Sequence, residues 1–160
     1  MNRNSFKTKP SPSLPEDHFS YWLRYVSNSA AYSFSRKLRQ SRVTVAEWIV
    51  LRQLYGSENL SPGEVARKTG LTQGAVSKLM NRLLRKKLVT RVISSKDRRY
   101  KELRLTKEGK SLVPRLARIA DENDDQFFGD ILPKQRKAWI DLLKSIIRKH
   151  RLRKVIEFES

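Results

Sequence analysis

Gln73, Ser77, Lys78, Asn81, Arg82 and Arg85 are interleaved with Val76, Leu79, Met80, Leu83 and Leu84. Wound as a helix, the two sets take opposite faces, one apolar and one rich in long hydrogen-bonding side chains. The polar set joins amide, hydroxyl, ammonium and guanidinium groups, the types that meet base edges in a DNA major groove or phosphate oxygens. Thr72 and Gly74 stand at the start of the stretch, where backbone amides favour phosphate. Lys86 and Lys87 suit the negative end of the helix dipole and need no partner to explain them. Taken alone, the pattern also fits the solvated face of a surface helix.

The elements around this stretch decide between those readings. Ser61, Pro62 and Glu64 mark a helix start, with Gly70 suited to a left-handed cap. Thr72 caps a second helix running to about Lys87, and only Gly70 and Leu71 lie between the two. So short a link is expected where two helices meet steeply. "VTRVI" (89–93) and "KELRL" (101–105) follow as strands flanking the polar stretch "SSKDRRY", a hairpin with a long basic tip. A short helix, a tight turn, a second helix and a hairpin are the parts of a winged helix-turn-helix in chain order. Its hairpin lies over the DNA backbone, with Lys96, Arg98 and Arg99 at the tip to meet phosphate or the minor groove. Asp97 can instead pair with one of these arginines.

Four more helices complete the pattern. The first runs from Asp17 to near Arg39, with Phe19, Trp22, Leu23, Val26, Ala30 and Phe34 at helical steps. The next is capped by Thr44 with Glu47 and ends at Gly56. After the hairpin, Thr106 caps a long helix with Leu112, Leu116, Ile119, Ala120 and Phe127 on one face, and Pro114 should bend it or weaken one turn. A last helix begins near Pro133 and carries Trp139, Leu142, Leu143, Ile146 and Ile147. The expected fold is therefore mainly α with a small β-hairpin wing. Residues 1–15 form a flexible basic arm and 16–160 a single domain. Within it, 41–106 is the DNA-binding lobe, while 16–40 and 107–160 form a helical dimerisation region.

Charge supports the same partner. The 160 residues hold 35 Lys and Arg against 16 Asp and Glu, a net charge of +19 and a pI near 10.7. Residues 71–110 hold 13 of those bases and three acids, so this quarter of the chain supplies +10 of the +19. Concentrated basic charge favours a polyanion through counterion release.

"VTVAEWIVLRQL", "LSPGEVARKTGLTQGAVSKLMNRLLRKKLVTR", "DRR" and "LRLTKEGKSL", in this order and spacing, resemble the MarR family of bacterial transcription regulators over roughly residues 17–150. The resemblance implies a homodimer built from the first and last helices of both subunits, with two winged lobes reading a palindromic operator. It implies a repressor, released in many members by a small, often aromatic, anion. One departure stands out. The family's wing carries two acid-to-arginine pairs; here Ser94 and Lys96 replace the first, and only Asp97 with Arg99 persists.

Dimerisation also has a basis in the residues. Phe19, Trp22, Leu23 and Val26 at one end, and Trp139, Leu142, Leu143, Ile146 and Ile147 at the other, are more apolar face than one small lobe covers. An intramolecular bundle is the alternative. Trp22, Trp48 and Arg52 are candidates to line an effector cleft, Arg52 supplying a cation for a carboxylate, although aromatics at helical spacing are more often core.

Other classes find less support. Cysteine is absent, and His18 and His150 stand far apart, so neither a disulfide framework nor a metal site is expected. There is no Gly-rich phosphate loop or Cys nucleophile for an enzyme, and no cofactor is expected; Asp121, Glu122, Asp124 and Asp125 form an ordinary solvated acidic run. No run approaches a membrane span and residues 1–13 lack a signal-peptide core, so a cytoplasmic protein without a membrane partner is expected. A non-specific architectural nucleic-acid-binding protein is the remaining competitor, since +19 would suffice for it.

Overall fold

The computed structural model describes residues 12–57, 59–93 and 101–152. Its helices are α1 (Phe19–Arg39), α2 (Val45–Tyr55), α3 (Pro62–Thr69), α4 (Gln73–Arg85), α5 (Lys107–Phe128) and α6 (Pro133–Lys149). Strands β1 (Val89–Ile93) and β2 (Lys101–Leu105) form the hairpin between α4 and α5.

Side-chain oxygens satisfy the free amides at most of these helix starts. Thr44 Oγ1 accepts from the Glu47 amide at 3.2 Å while Glu47 Oε2 accepts from the Thr44 amide at 2.9 Å. Ser61 and Glu64 repeat this reciprocal pair at 3.3 and 2.8 Å. Thr72 and Thr106 accept from Ala75 and Gly109 at 3.2 and 3.0 Å. Each such cap is worth about 1 kcal/mol. In the first turn of α5, backbone hydrogen bonding at Glu108 and the Thr106 hydroxyl hold the Glu108 carboxyl below its ordinary range, with Lys107 and Lys87 adding to the effect.

The turn from α3 to α4 is fixed in two ways. Gly70 takes φ 77°, open to glycine at no steric cost. Buried Thr69 donates its hydroxyl to Val65 O at 2.7 Å and accepts from the Leu71 amide at 3.3 Å. That hydroxyl is satisfied, so burying it costs little.

In the antiparallel hairpin Val89 faces Leu105 and Ile93 faces Lys101. Leu60 adds a one-residue bridge to Leu103, its amide donating at 3.1 Å and its carbonyl accepting at 2.8 Å. Leu51, Leu54, Val65, Val76, Leu83, Leu103, Val113 and Leu116 are among the buried side chains of a core shared by α2–α5 and the hairpin, and Leu38 extends it to α1.

Two local differences from the sequence reading have simple causes. A 3-10 turn over Pro15–Asp17 precedes α1, which therefore begins at Phe19 rather than Asp17. At the other end of the lobe, α4 stops at Arg85, because Lys87 turns left-handed with φ 57°. Helix α5 continues through Pro114, which is exposed while Val113 and Leu116 are buried; with no N–H to donate, Pro114 leaves one turn short of a hydrogen bond.

Candidate nucleic-acid interface

Helix α4 turns its two faces as its sequence dictates. Val76 and Leu83 are wholly buried and Leu79 and Met80 nearly so. Thr72, Gln73, Gly74, Ser77, Lys78, Asn81 and Arg82 are all exposed, together on the outer side. No acid stands in the first turn of α4. A Cβ built on Gly74 would meet nothing within 4 Å, so the fold does not require glycine there. Without a side chain at Gly74, the start of this face stays low.

Two long-range contacts hold α4 in place, and neither was visible as a motif. Lys86 Nζ donates to both Glu47 carboxylate oxygens, at 2.7 and 2.6 Å, and to Arg42 O at 2.7 Å. Glu47 is wholly buried, so the end of α4 is pinned to the start of α2 by an ion pair whose carboxylate is desolvated while the lysine stays partly exposed. The sequence assigned Lys86 to the helix dipole alone; it has a specific partner, 39 residues away. On the outer side Arg91, in β1, donates from Nη2 to Asn81 Oδ1 at 3.1 Å. Arg91 is exposed and belongs to the same basic surface, and sequence reasoning missed it. It sits where β1 departs from clean in-out alternation, so periodicity gave no warning. With Oδ1 engaged by Arg91, the outward group of Asn81 is its amide nitrogen, a donor.

The wing tip, including Lys96, Arg98 and Arg99, lies outside the described residues. Phe19, Trp22, Leu23 and Val26 on α1 and Trp139, Leu142, Leu143, Ile146 and Ile147 on α6 are all at least 36% exposed in the single chain. No residue of α6 is buried.

The three residues suggested for an effector cleft are not gathered around one hollow. Trp22 is exposed, its indole nitrogen donating to Glu16 O at 2.9 Å; Trp48 is half-buried against the core; Arg52 is exposed. A hollow of about 620 Å³ opens between Tyr55, Ser57, Arg104 and Lys110, and one of about 200 Å³ between α1 and α5; none of the three lines either. His18 and His150 occupy the ends of α1 and α6, and the described residues hold no cluster of metal-ligating side chains. Among the described residues no helix is long and apolar enough to cross a membrane.

A family model for MarR proteins matches residues 43–99, from just before α2 to the stretch before β2. An uncharacterized HTH-type transcriptional regulator of Bacillus cereus is 26% identical over 140 residues, covering 86% of this chain and 93% of its own. Over the matched segment, and in its curated relatives and structural neighbours, the chain is similar to MarR-family regulators. Its fold is similar to that of BpsR from Bordetella bronchiseptica, described for regulation of its DNA binding by 6-hydroxynicotinic acid: TM-score 0.75, 26% identity, 84% of this chain and 96% of BpsR covered. It is equally similar to Staphylococcus aureus MepR, solved in complex with DNA: TM-score 0.75, 26% identity, coverage 82% and 98%. These likenesses support a DNA-binding transcription regulator with a winged helix-turn-helix fold.

Proposed function

We propose that this protein acts as a homodimeric repressor reading a palindromic operator. The observation that carries the reading is the outer face of α4, where Thr72, Gln73, Gly74, Ser77, Lys78, Asn81 and Arg82 stand exposed together. Gln73, Ser77, Lys78 and Arg82 contact bases or phosphates, and Lys96, Arg98 and Arg99 at the wing tip hold the neighbouring backbone or minor groove. Residues 41–106 form the DNA-binding lobe. The apolar faces of α1 and α6, in 16–40 and 107–160, are covered by a second copy, which sets the two α4 helices about 34 Å apart. A small aromatic or anionic effector releases the DNA, a reading supported by the resemblance to BpsR.

Selection of bound fragments from random DNA at near-physiological salt tests this. An inverted repeat is expected among the survivors. Fragments without a shared sequence, together with steep salt dependence, would identify a non-specific architectural protein instead. In the same assay Arg99→Ala should weaken binding to all sequences and lower the salt slope by about one. Gln73→Ala or Lys78→Ala should change the preference among sites.

A further inference from the structure

The hollow of about 620 Å³ lies between the end of α2, β2 and the start of α5, and no residue of α4 lines it. Leu54, Leu105 and the Tyr55 ring form its apolar part, while Ser57, Arg104 and Lys110 bring polar groups from three places in the chain. No carboxylate is among the lining residues. Arg104 Nε donates to Asn59 Oδ1 at 3.0 Å. A neutral amide thus orients this guanidinium without cancelling its charge. Both Nη groups of Arg104, and Lys110 Nζ, have no partner among the described residues. Arg52 stands close by, its Nη1 3.9 Å from where a Cβ on Gly56 in the wall would sit. Ser57 Oγ accepts from Lys68 Nζ at 3.2 Å, so its O–H remains to donate.

We propose that this hollow binds a small phosphate monoester, with the phosphate on Arg104, Lys110 and the Ser57 hydroxyl and the organic body against Tyr55, Leu54 and Leu105. Like charges gathered around a concavity repel one another, and an anion between them relieves that repulsion. Arg52, Arg104 and Lys110 together favour a dianion over a single charge. A phosphate monoester carries roughly −1.5 to −2 at neutral pH. It is also tetrahedral and accepts from donors arriving on several sides, whereas a carboxylate carries one charge with its acceptors in one plane. The Nη groups of Arg104 form the fork that phosphate takes in parallel hydrogen bonds. Duplex DNA fits poorly, since its phosphodiesters carry one charge each on a convex surface and this site is concave. The site rests neither on how α4 reads DNA nor on the dimer.

Calorimetric titration of the full-length protein with ribose 5-phosphate, in buffer without phosphate, tests the assignment. Ribose is the probe lacking the phosphate, and dimethyl phosphate the probe lacking the second charge. Saturable binding of ribose 5-phosphate is expected, with dimethyl phosphate at least about tenfold weaker, the size of one charge-assisted hydrogen bond, and ribose unbound. Arg104→Gln and Lys110→Gln should each lower the affinity about tenfold. Lys144→Gln, which removes the same charge from α6, should leave it unchanged. Should Arg104→Gln fail to fold by circular dichroism, Lys110→Gln decides alone. Absence of saturable binding overturns the proposal, as does equal affinity for ribose 5-phosphate and dimethyl phosphate, or an equal loss in Lys144→Gln. Random-sequence duplex DNA is titrated against the same variants. Weaker DNA binding in Arg104→Gln with ribose 5-phosphate binding unchanged would assign the hollow to the DNA backbone and overturn the proposal.

Discussion

At Gly74 and Gly109 the same substitution has opposite expected consequences, because different neighbours surround the two α-carbons. Alanine at 74 adds a methyl into open space and improves helix propensity by up to about 1 kcal/mol. Gly74→Ala should therefore raise the melting temperature by up to about 4 °C. It should also weaken DNA binding, since the methyl stands on the face proposed to meet the duplex. Thermal unfolding with a binding titration separates the two; unchanged affinity would remove Gly74 from the interface. Alanine at 109 would set its Cβ 2.1 Å from Leu88 O, so backbone would have to move where α5 rests on the link between α4 and β1. Loss of a cooperative transition is expected there. Lys86 makes a third case. Lys86→Met leaves the Glu47 carboxylate buried without its cation and should cost about 3 kcal/mol, the low end for a broken buried pair because the lysine side chain keeps 36% exposure. Adding Glu47→Gln should recover part of that loss in denaturant unfolding. A double variant as unstable as the single one would show that the charge pair is not what holds α4 to α2.

Among the elements, starts and stops were legible because each is local. Thr44, Ser61, Thr72 and Thr106 cap where their spacing to the following amides predicts, Gly70 is left-handed, and both strands have the bounds read from their composition. What escaped the sequence are pairs that meet only through the fold: Lys86 with Glu47, Arg91 with Asn81, Leu60 with Leu103, and the unpartnered amide oxygen of Asn123. Each residue has an ordinary local reading, a dipole lysine or a strand arginine, and nothing in its spacing names its partner. The Arg91 contact matters for how two elements act together. It ties β1 to α4, so the hairpin strand and α4 present one surface. Arg91→Ala should shift stability by less than about 1 kcal/mol, as expected of an exposed polar pair, yet lower DNA affinity by removing a cation and freeing the Asn81 amide to rotate. Electrophoretic mobility shifts read the affinity and chemical denaturation the stability. A large stability loss with proportionate loss of binding would mean that the contact serves only the fold.

For the whole molecule, the decisive feature is apolar surface left uncovered at both ends of the chain. Trp139 is 59% exposed, Leu142 53% and Ile147 48%, and Phe19 on α1 is 71% exposed. Helix α6 is anchored near its start by Arg136, which reaches Asp124 and the Phe128 carbonyl. A contiguous apolar face of this kind in water marks an interface, and a twofold partner bringing the same face covers both copies at once. On that reading the operator is bound by two lobes whose spacing the helices set, so affinity for an inverted repeat contains an effective-concentration gain that a single lobe lacks. Leu143→Lys combined with Ile147→Lys places two ammonium groups in the proposed seam while leaving the core of α2–α5 intact. Sedimentation should show a wild-type dimer and a variant monomer. Circular dichroism should change little, and affinity for the inverted repeat should fall by about 10²-fold or more while weak half-site binding persists. A wild-type protein that sediments as a monomer, or a monomeric variant that binds the full repeat undiminished, would show that the exposed faces do not organise DNA recognition.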